Sequence, residues 1–584
     1  MITQKIKEAR KLAQENIWLK KYFLPSLKDQ IYVTILRLAA APFVLFSPYI
    51  AKLIIDKAYL LKDTKMFFIY IFWGIFCFAV LAIINAAANY RQAIVKNKVK
   101  FNLNNDLFLR LQQLPLAQFQ QNASSEYLYK LEYDSERVSE FIVGTLANAF
   151  KLFPALISII VIVLLLDLRI AIFLFCSLPF IYLNIYIFGK RLRAVSLKLI
   201  GEQENIFKRL SEIFRYSYLV KVFGQEKEEA VSVKNLLKSA MDLKMKEAKF
   251  QSINSLFGSV TLMNIVLVVV IAFAGYMLIK GETTLGNITA LTLYFMQLVS
   301  LQAESINFFQ GIMISGNSRK RLWEILTYPV PSDQDVYGIE KISNPGIEFK
   351  GVTFRYPKGK TIFENISFKI PAGAKIGLVG TSGKGKTTLV NLILRLYDLE
   401  KGSILIGNTD IKKIDSKNLY SQIAIATQEP ILWDDTVENN IKYGKPCASK
   451  QEVMNSARLC LCDEFINELP LKLQASVKEN AAFFSEGQKQ RIAIARAVIK
   501  NPQILIIDEA LASLDSQTED KLTDNIIKEF SNSTVIFVSH RLSTVKKTEL
   551  ICFLESADRI FIDTHEQLLN KPEYRELFSS QINQ

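Results

Sequence analysis

The sequence predicts two folds on one chain: an α-helical membrane domain of six spans, followed by an α/β domain of the phosphate-loop nucleoside triphosphatase type. Three observations predict it. Half of the 584 residues are hydrophobic although 22% are charged, and before about residue 328 the apolar residues are gathered into long runs. Basic residues crowd the connections between those runs, which is the positive-inside pattern of a membrane protein. After Gly346 short strands alternate with helices, and residues 380–387 read G-x-x-x-x-G-K-T. A chain of this length exceeds one hydrophobic core, so several domains are expected.

The elements follow in order. Residues 1–30 are charged throughout and lack the apolar stretch of a secretory signal. They suit a cytoplasmic amphipathic segment whose Trp18, Phe23 and Leu24 dip into the membrane interface. Residues 31–327 form the membrane domain, with spans expected near 31–55, 66–89, 148–166, 169–188, 257–280 and 285–311. The last holds Gln297, Gln302, Glu304 and Asn307, which lining a cavity would explain because polar groups facing lipid are costly. Asn85, Asn89 and Gln297 either line a pathway or bond between helices.

The links at 60–65, 167–169 and 280–284 are short, whereas those at about 90–147 and 189–256 are long and rich in Lys and Arg. Long basic links belong in the cytoplasm, so both termini are expected there, in a multi-pass protein of the cell (inner) membrane. Their helical composition predicts that spans continue about 35–40 Å beyond the bilayer and turn back. The turns, 114–131 and 211–228, are candidate contacts for a cytoplasmic partner. The net charge of +15 is accounted for by this pattern, so no nucleic-acid partner is expected. The six cysteines show no CxxC pair and are expected as free or buried thiols of a reducing compartment.

Residues 328–345 form a Pro- and Asp-containing linker, and 346–584 the nucleotide domain. Segments 347–356 and 361–370 read as paired strands, and 374–380 as a buried strand feeding the phosphate loop. That loop is Gly380, Thr381, Ser382, Gly383, Lys384, Gly385, Lys386, Thr387 and Thr388. Its glycines let backbone N–H groups surround a phosphate, Lys386 supplies charge to the β- and γ-phosphates, and the Thr387 hydroxyl ligates Mg²⁺. Residues 503–510 form an apolar strand ending in Asp508, placed to hold Mg²⁺ through water, and Glu509, a general base or water-orienting group.

With "GTSGKGKT", the stretch "SEGQKQRIAIARAVIKNPQILIIDEALASLD" resembles the nucleotide-binding domain of an ATP-binding cassette (ABC) transporter, and the helical half resembles the exporter type. The resemblance implies ATP and Mg²⁺ as cofactors and gives further residues their roles. Tyr356 would stack on adenine. Gln428 would touch Mg²⁺ and the attacking water. Ser485, Gly487 and Gln488 would close over the γ-phosphate of ATP held by another subunit, Asp515 would join the two sites, and His540 would face the γ-phosphate. His565 is expected to be structural.

The sequence departs from the family at its signature, where Glu486 replaces a glycine and 476–483 lacks the usual glycines. A carboxylate about 6 Å from a phosphate oxygen would cost a few kcal/mol at an effective dielectric near 20. In the first turn of a helix it is instead favoured, so Glu486 is expected to point sideways, toward Lys489 or Arg491.

One cassette per chain implies a second half-transporter as partner, a homodimer being favoured and a heterodimer possible. The expected function is ATP hydrolysis driving export or flipping of an amphipathic, hydrophobic or lipid-like small molecule, with membrane lipid as a further partner. The rival is a nucleotide-gated channel or regulatory membrane protein of the same architecture.

Overall fold

The computed structural model describes residues 17–121, 124–257, 259–329, 345–356, 359–477 and 484–582. The chain divides near residue 329 into two compact units.

The first unit is helical. Its long helices are α1 (Lys20–Leu53), α2 (Thr64–Gln112), α3 (Ser135–Leu166), α4 (Leu168–Arg215), α5 (Glu226–Phe257), α6 (Ser259–Ile279) and α7 (Leu285–Leu326). The stretches Lys20–Tyr59, Thr64–Gln112 and Ser124–Leu166 are long and apolar enough to cross a membrane, and Asn264–Ile279 and Leu285–Leu301 are shorter apolar helices, all among the described residues. Side chains of 173–190 in α4 lie outside them. α2 has 49 residues and α4 has 48. At 1.5 Å per residue each is about 72 Å long, against a hydrocarbon core of about 30 Å, so long extensions beyond the spans are present. Short helices Leu116–Gln121 and Ser217–Val222 lie in the turns expected between extended helices.

Sequence chemistry explains the local geometry. Asp63 caps α2 by accepting from the N–H groups of Lys65 and Met66 at 3.0 and 3.1 Å. Pro48 inside α1 has no N–H to give the carbonyl of Val44. The freed oxygen accepts from Gln297 Nε2 of α7 at 3.1 Å, and the neighbouring Leu45 carbonyl accepts from the Tyr294 hydroxyl at 2.6 Å. Gln297 thus bonds between helices, as do Asn85 and Asn89, which accept from Arg37. Glu304 does line a cavity, while the side chains of Gln302 and Asn307 lie outside the described residues.

The aromatics Trp18 and Phe23 of the N-terminal segment are half-buried on protein. Trp18 and Phe23 pack against a core formed by Val99, Leu103, Leu107, Leu322 and Ile325, beside the buried Tyr22. Only Leu24 of the three stays exposed. Large aromatics remove most area from water when buried in protein, so they anchor the segment to its own helices. Residues 1–16 and most of the linker, 330–344, lie outside the described residues, as does the Cys176 side chain. Among the other cysteines, Cys77, Cys460, Cys462 and Cys552 are buried free thiols and Cys447 is an exposed one.

The second unit holds two sheets. β1 (Ile347–Arg355) pairs antiparallel with β2 (Thr361–Ile370) and with β4 (Lys401–Ile406), which carries the short β5 (Thr409–Asp410). The larger sheet has the order β10-β9-β3-β8-β7-β6. It contains β3 (Lys375–Val379), β6 (Ile423–Ala426), β7 (Ile504–Asp508), β8 (Thr534–Val538), β9 (Leu550–Leu554) and β10 (Ile560–Asp563). Only β10 is antiparallel in it. β3 and β8 are buried at every residue, as continuous apolar runs between covered faces require. Parallel strands bring the loops after β3, β6, β7 and β8 to one edge, where open α/β sheets bind ligands.

Candidate active site

The phosphate loop joins β3 to helix α8 (Lys386–Ile393). Gly383 and Gly385 take φ of +80° and +101°, which L side chains avoid. Gly380 is needed for another reason: a Cβ there would stand 2.9 Å from the carbonyl oxygen of Leu554. Lys386 is buried, and its Nζ donates to the Gly380 carbonyl at 2.8 Å and lies 2.8 Å from His540 Nε2. Burial lowers the Lys386 ammonium from its ordinary value, against the pull of Glu509 and Asp508. Thr381, Ser382, Lys384 and Thr387 are exposed along the loop, open to a ligand.

The ends of β6, β7 and β8 supply the facing groups. Glu509 follows β7 with φ +51°, a strained conformation for a non-glycine residue, and its N–H donates to the Val538 carbonyl at 3.0 Å. Its carboxylate accepts from Gln428 Nε2 at 2.9 Å and stands 3.2 Å from His540 Nε2. Gln428, Glu509, His540 and Lys386 thereby form one continuous polar chain over the phosphate loop. Burial, and then the charge of Glu509, push the Asp508 carboxyl up to about 6, with Lys386 opposing. Tyr356, after β1, bonds through its hydroxyl to Thr388 Oγ1 at 3.1 Å and packs edge-on against Tyr397.

The signature stretch begins helix α9 (Glu486–Val498). Ser485 is its N-cap in a reciprocal box: the Ser485 hydroxyl accepts from the Gln488 N–H at 3.2 Å and Gln488 Oε1 accepts from the Ser485 N–H at 2.9 Å. These bonds are local and do not reach the phosphate loop. A Cβ on Gly487 would lie 3.2 Å from Leu514 Cδ2, so the turn sits close to the loop that precedes Asp515. Asp515 caps helix α10 (Ser516–Glu529), and the Thr518 N–H holds its carboxyl below the usual range. The Glu486 carboxylate is exposed and 3.4 Å from Lys489 Nζ, whereas Arg491 turns to the Leu461 carbonyl and Glu464. Residues 478–483, just before, lie outside the described residues.

Two further contacts were not anticipated. Gln490 is 2% exposed, and its Nε2 donates to the Gln428 carbonyl, tying α9 to the loop after β6. Arg541 donates to Glu519 and to the carbonyls of Ala512 and Leu514, fastening the loop after β7 to that after β8. Glu519 also accepts from Thr544. His565, away from this edge, bonds Tyr574 at 2.9 Å, and burial lowers its pKa.

The oxygen donors at hand for a divalent ion are the Thr387 hydroxyl, the Gln428 amide and the Asp508 carboxylate. Among the described residues no three His, Cys, Asp or Glu side chains form a metal cluster. Few hard oxygen donors beside a phosphate loop fit Mg²⁺ held largely by nucleotide phosphates and water.

Comparisons with known proteins give the family and the fold. Residues 31–302 match the family model described as "ABC transporter transmembrane region" and residues 363–512 the one described as "ABC transporter". A Bacillus subtilis (strain 168) protein named "Putative multidrug export ATP-binding/permease protein YgaD" is 29% identical over 580 residues, covering 96% of this chain and 99% of its own. An "ATP-dependent lipid A-core flippase" of Legionella pneumophila subsp. pneumophila (strain Philadelphia 1) is 27% identical over 537 residues, 91% of this chain and 90% of its own. A solved structure described as a bacterial Atm1-family ABC exporter with ATP bound superposes with a TM-score of 0.85 at 24% identity, covering 95% of this chain and 98% of that one.

Proposed function

Because the chain belongs to the ABC transporter family, with the membrane region and the ATPase cassette of an exporter on one polypeptide, we propose that two copies work together to move an amphipathic, lipid-like substrate across the cell (inner) membrane. The chain binds and hydrolyses ATP and couples hydrolysis to transport. The observation that carries the catalytic assignment is the polar chain Gln428–Glu509–His540–Lys386 above the phosphate loop.

In this reading Lys386 and the loop N–H groups hold the β- and γ-phosphates, and Tyr356 stacks on the base. Mg²⁺ would be held by Thr387, Gln428 and Asp508 and would supply charge neutralisation at the phosphates. Glu509 takes the proton of the attacking water while Gln428 orients it, and His540 contacts the γ-phosphate. Ser485, Gly487 and Gln488 of one copy close over the nucleotide of the other, and Asp515 links the two sites. The local capping of Ser485 and Gln488 is consistent with this: α9 presents its N-terminus, where anions are favoured. Both termini lie in the cytoplasm in this arrangement, and the long helix extensions transmit cassette closure to the spans.

Multidrug export and lipid A-core flipping, in the names of the relatives, support an amphipathic cargo. The test is ATP turnover in lipid nanodiscs with Glu509→Gln beside wild type. The substitution is expected to lower turnover at least 100-fold while ATP binding persists. Undiminished turnover would remove Glu509 from the reaction.

A further inference from the structure

The short helix Leu542–Lys546 that follows His540 starts without a cap of its own. Arg541 occupies the N-cap position, and its side chain has no acceptor to offer the free N–H groups of a first turn. The acceptor comes from 39 residues further along the chain, where Gln581 Oε1 takes the Leu542 N–H at 2.7 Å. The other end of the same amide, Nε2, donates to the His540 carbonyl at 3.0 Å. One side chain thus bonds the backbone on both sides of Arg541. Its orientation follows from chemistry, since an N–H requires the amide oxygen and a carbonyl requires the amide nitrogen.

Gln581 is itself anchored. It lies in the short helix Ser579–Ile582, and its N–H donates to the Phe578 carbonyl at 2.9 Å. Phe578 and Tyr574 are fully buried in an apolar cluster with Leu542, Val545 and Val379, the last residue of β3 before the phosphate loop. Large aromatics hold such a segment in place because each removes about 150–250 Å² from water. One cluster therefore seats the strand that feeds the loop, the helix after His540 and the segment that carries Gln581. From another side, Arg541 reaches the carbonyls of Ala512 and Leu514 at 2.8 and 3.3 Å. Between these holds, His540 Nε2 stands 2.8 Å from Lys386 Nζ and 3.2 Å from Glu509. Fixing a long exposed amide costs rotamer freedom, and both bonds that Gln581 makes in return fall on the backbone that aims one imidazole.

We propose that Gln581 is a positioning residue of the ATPase site, which holds the His540 imidazole in place for the γ-phosphate through its bonds to the His540 carbonyl and the Leu542 N–H. The inference rests on the reading of His540 as a γ-phosphate contact. Displacing a reacting group by about 1 Å can cost on the order of 100-fold in rate, so a backbone tether of this kind bears directly on turnover. Gln581 acts through His540, so its effect on turnover vanishes where the imidazole is absent.

The test uses the full-length protein in lipid nanodiscs. Gln581→Met removes both bonds at similar side-chain length. Gln581→Glu keeps the acceptor for Leu542 but turns an oxygen toward the His540 carbonyl. Gln581 is exposed, so neither change enters the core. Both variants are expected to lower kcat for ATP about tenfold while KM stays within about threefold. In a His540→Ala background, Gln581→Met is expected to lower kcat no further. A readout without nucleotide is the rate at which diethyl pyrocarbonate labels each of the two histidines of the chain, followed by peptide mass spectrometry. In both Gln581 variants His540 is expected to label several-fold faster while His565 keeps its rate. Equal acceleration at His565, which bonds Tyr574, would mean that the whole terminal segment had loosened, and it would overturn the proposal. So would an unchanged labelling rate at His540, or a full further loss of kcat in the His540→Ala background. If His540→Ala lowers turnover and the Gln581 variants do not, the proposal fails alone. If His540→Ala keeps wild-type turnover, the reading of His540 fails and takes the proposal with it.

Discussion

Asp508 carries the most directly titratable prediction at the scale of single residues. A carboxyl raised from 3.8 to about 6 in the folded protein holds its proton more tightly than in the unfolded chain. Its contribution to stability is therefore present below about pH 4 and is lost as pH rises through 6. The unscreened upper bound on that loss is about 3 kcal/mol, at 1.36 kcal/mol per unit. Asp508→Asn is expected to raise the thermal midpoint of the nucleotide-free protein at pH 7.5 and to leave it unchanged at pH 4. It should weaken Mg²⁺-dependent ATP binding at the same time. A midpoint that rose equally at both pH values would mean that charge is not the cause. Glu486 gives a second prediction. Its carboxylate is exposed and paired with Lys489, and an exposed pair of this kind is worth about 0–1 kcal/mol. Glu486→Gly is therefore expected to change ATP turnover less than tenfold. A larger rise would show that the carboxylate opposes the nucleotide.

Between elements, the informative contacts are those that fasten one loop to another. Glu519 is 2% exposed, and Arg541 and Thr544 satisfy its carboxylate while Arg541 also holds two carbonyls of the loop after β7. Removing one partner of a buried ion pair costs about 3–5 kcal/mol, and the partial exposure of Arg541 reduces this to about 2–3 kcal/mol. Arg541→Met should lower the unfolding free energy of the cassette by that amount in urea titration, and an unchanged denaturation midpoint would refute the clamp. Such contacts also mark the limit of what the sequence makes legible. The phosphate loop, Asp508 with Glu509, and His540 are readable because each sits at a strand end within a contiguous apolar-run-then-polar pattern. The bond of Gln490 to Gln428 joins residues 62 apart, and Arg37 meets its amides at separations of 48 to 55. Those meetings depend on how helices and strands pack, which no local pattern encodes. Nor does amphipathicity say how much of an apolar face protein covers: Trp18 and Phe23 are half-buried against their own helices.

For the whole molecule, the account stands or falls on ATP joining two copies. The phosphate loop offers Lys386 and its N–H groups, while within one chain the bonds of Ser485 and Gln488 are only local caps. In the proposed reading a nucleotide gripped by both would bring a second cassette, and long helices such as α2 and α4 would carry that closure into the membrane. The most direct measurement is disulfide formation between copies in a cysteine-free, Glu509→Gln background carrying Ser382→Cys in the phosphate loop and Glu486→Cys in the signature turn. The account predicts a covalent dimer that forms rapidly with Mg²⁺ and ATP and at least tenfold more slowly without nucleotide. A chain that stayed monomeric with ATP, or crosslinked at the same rate without it, would contradict the shared site.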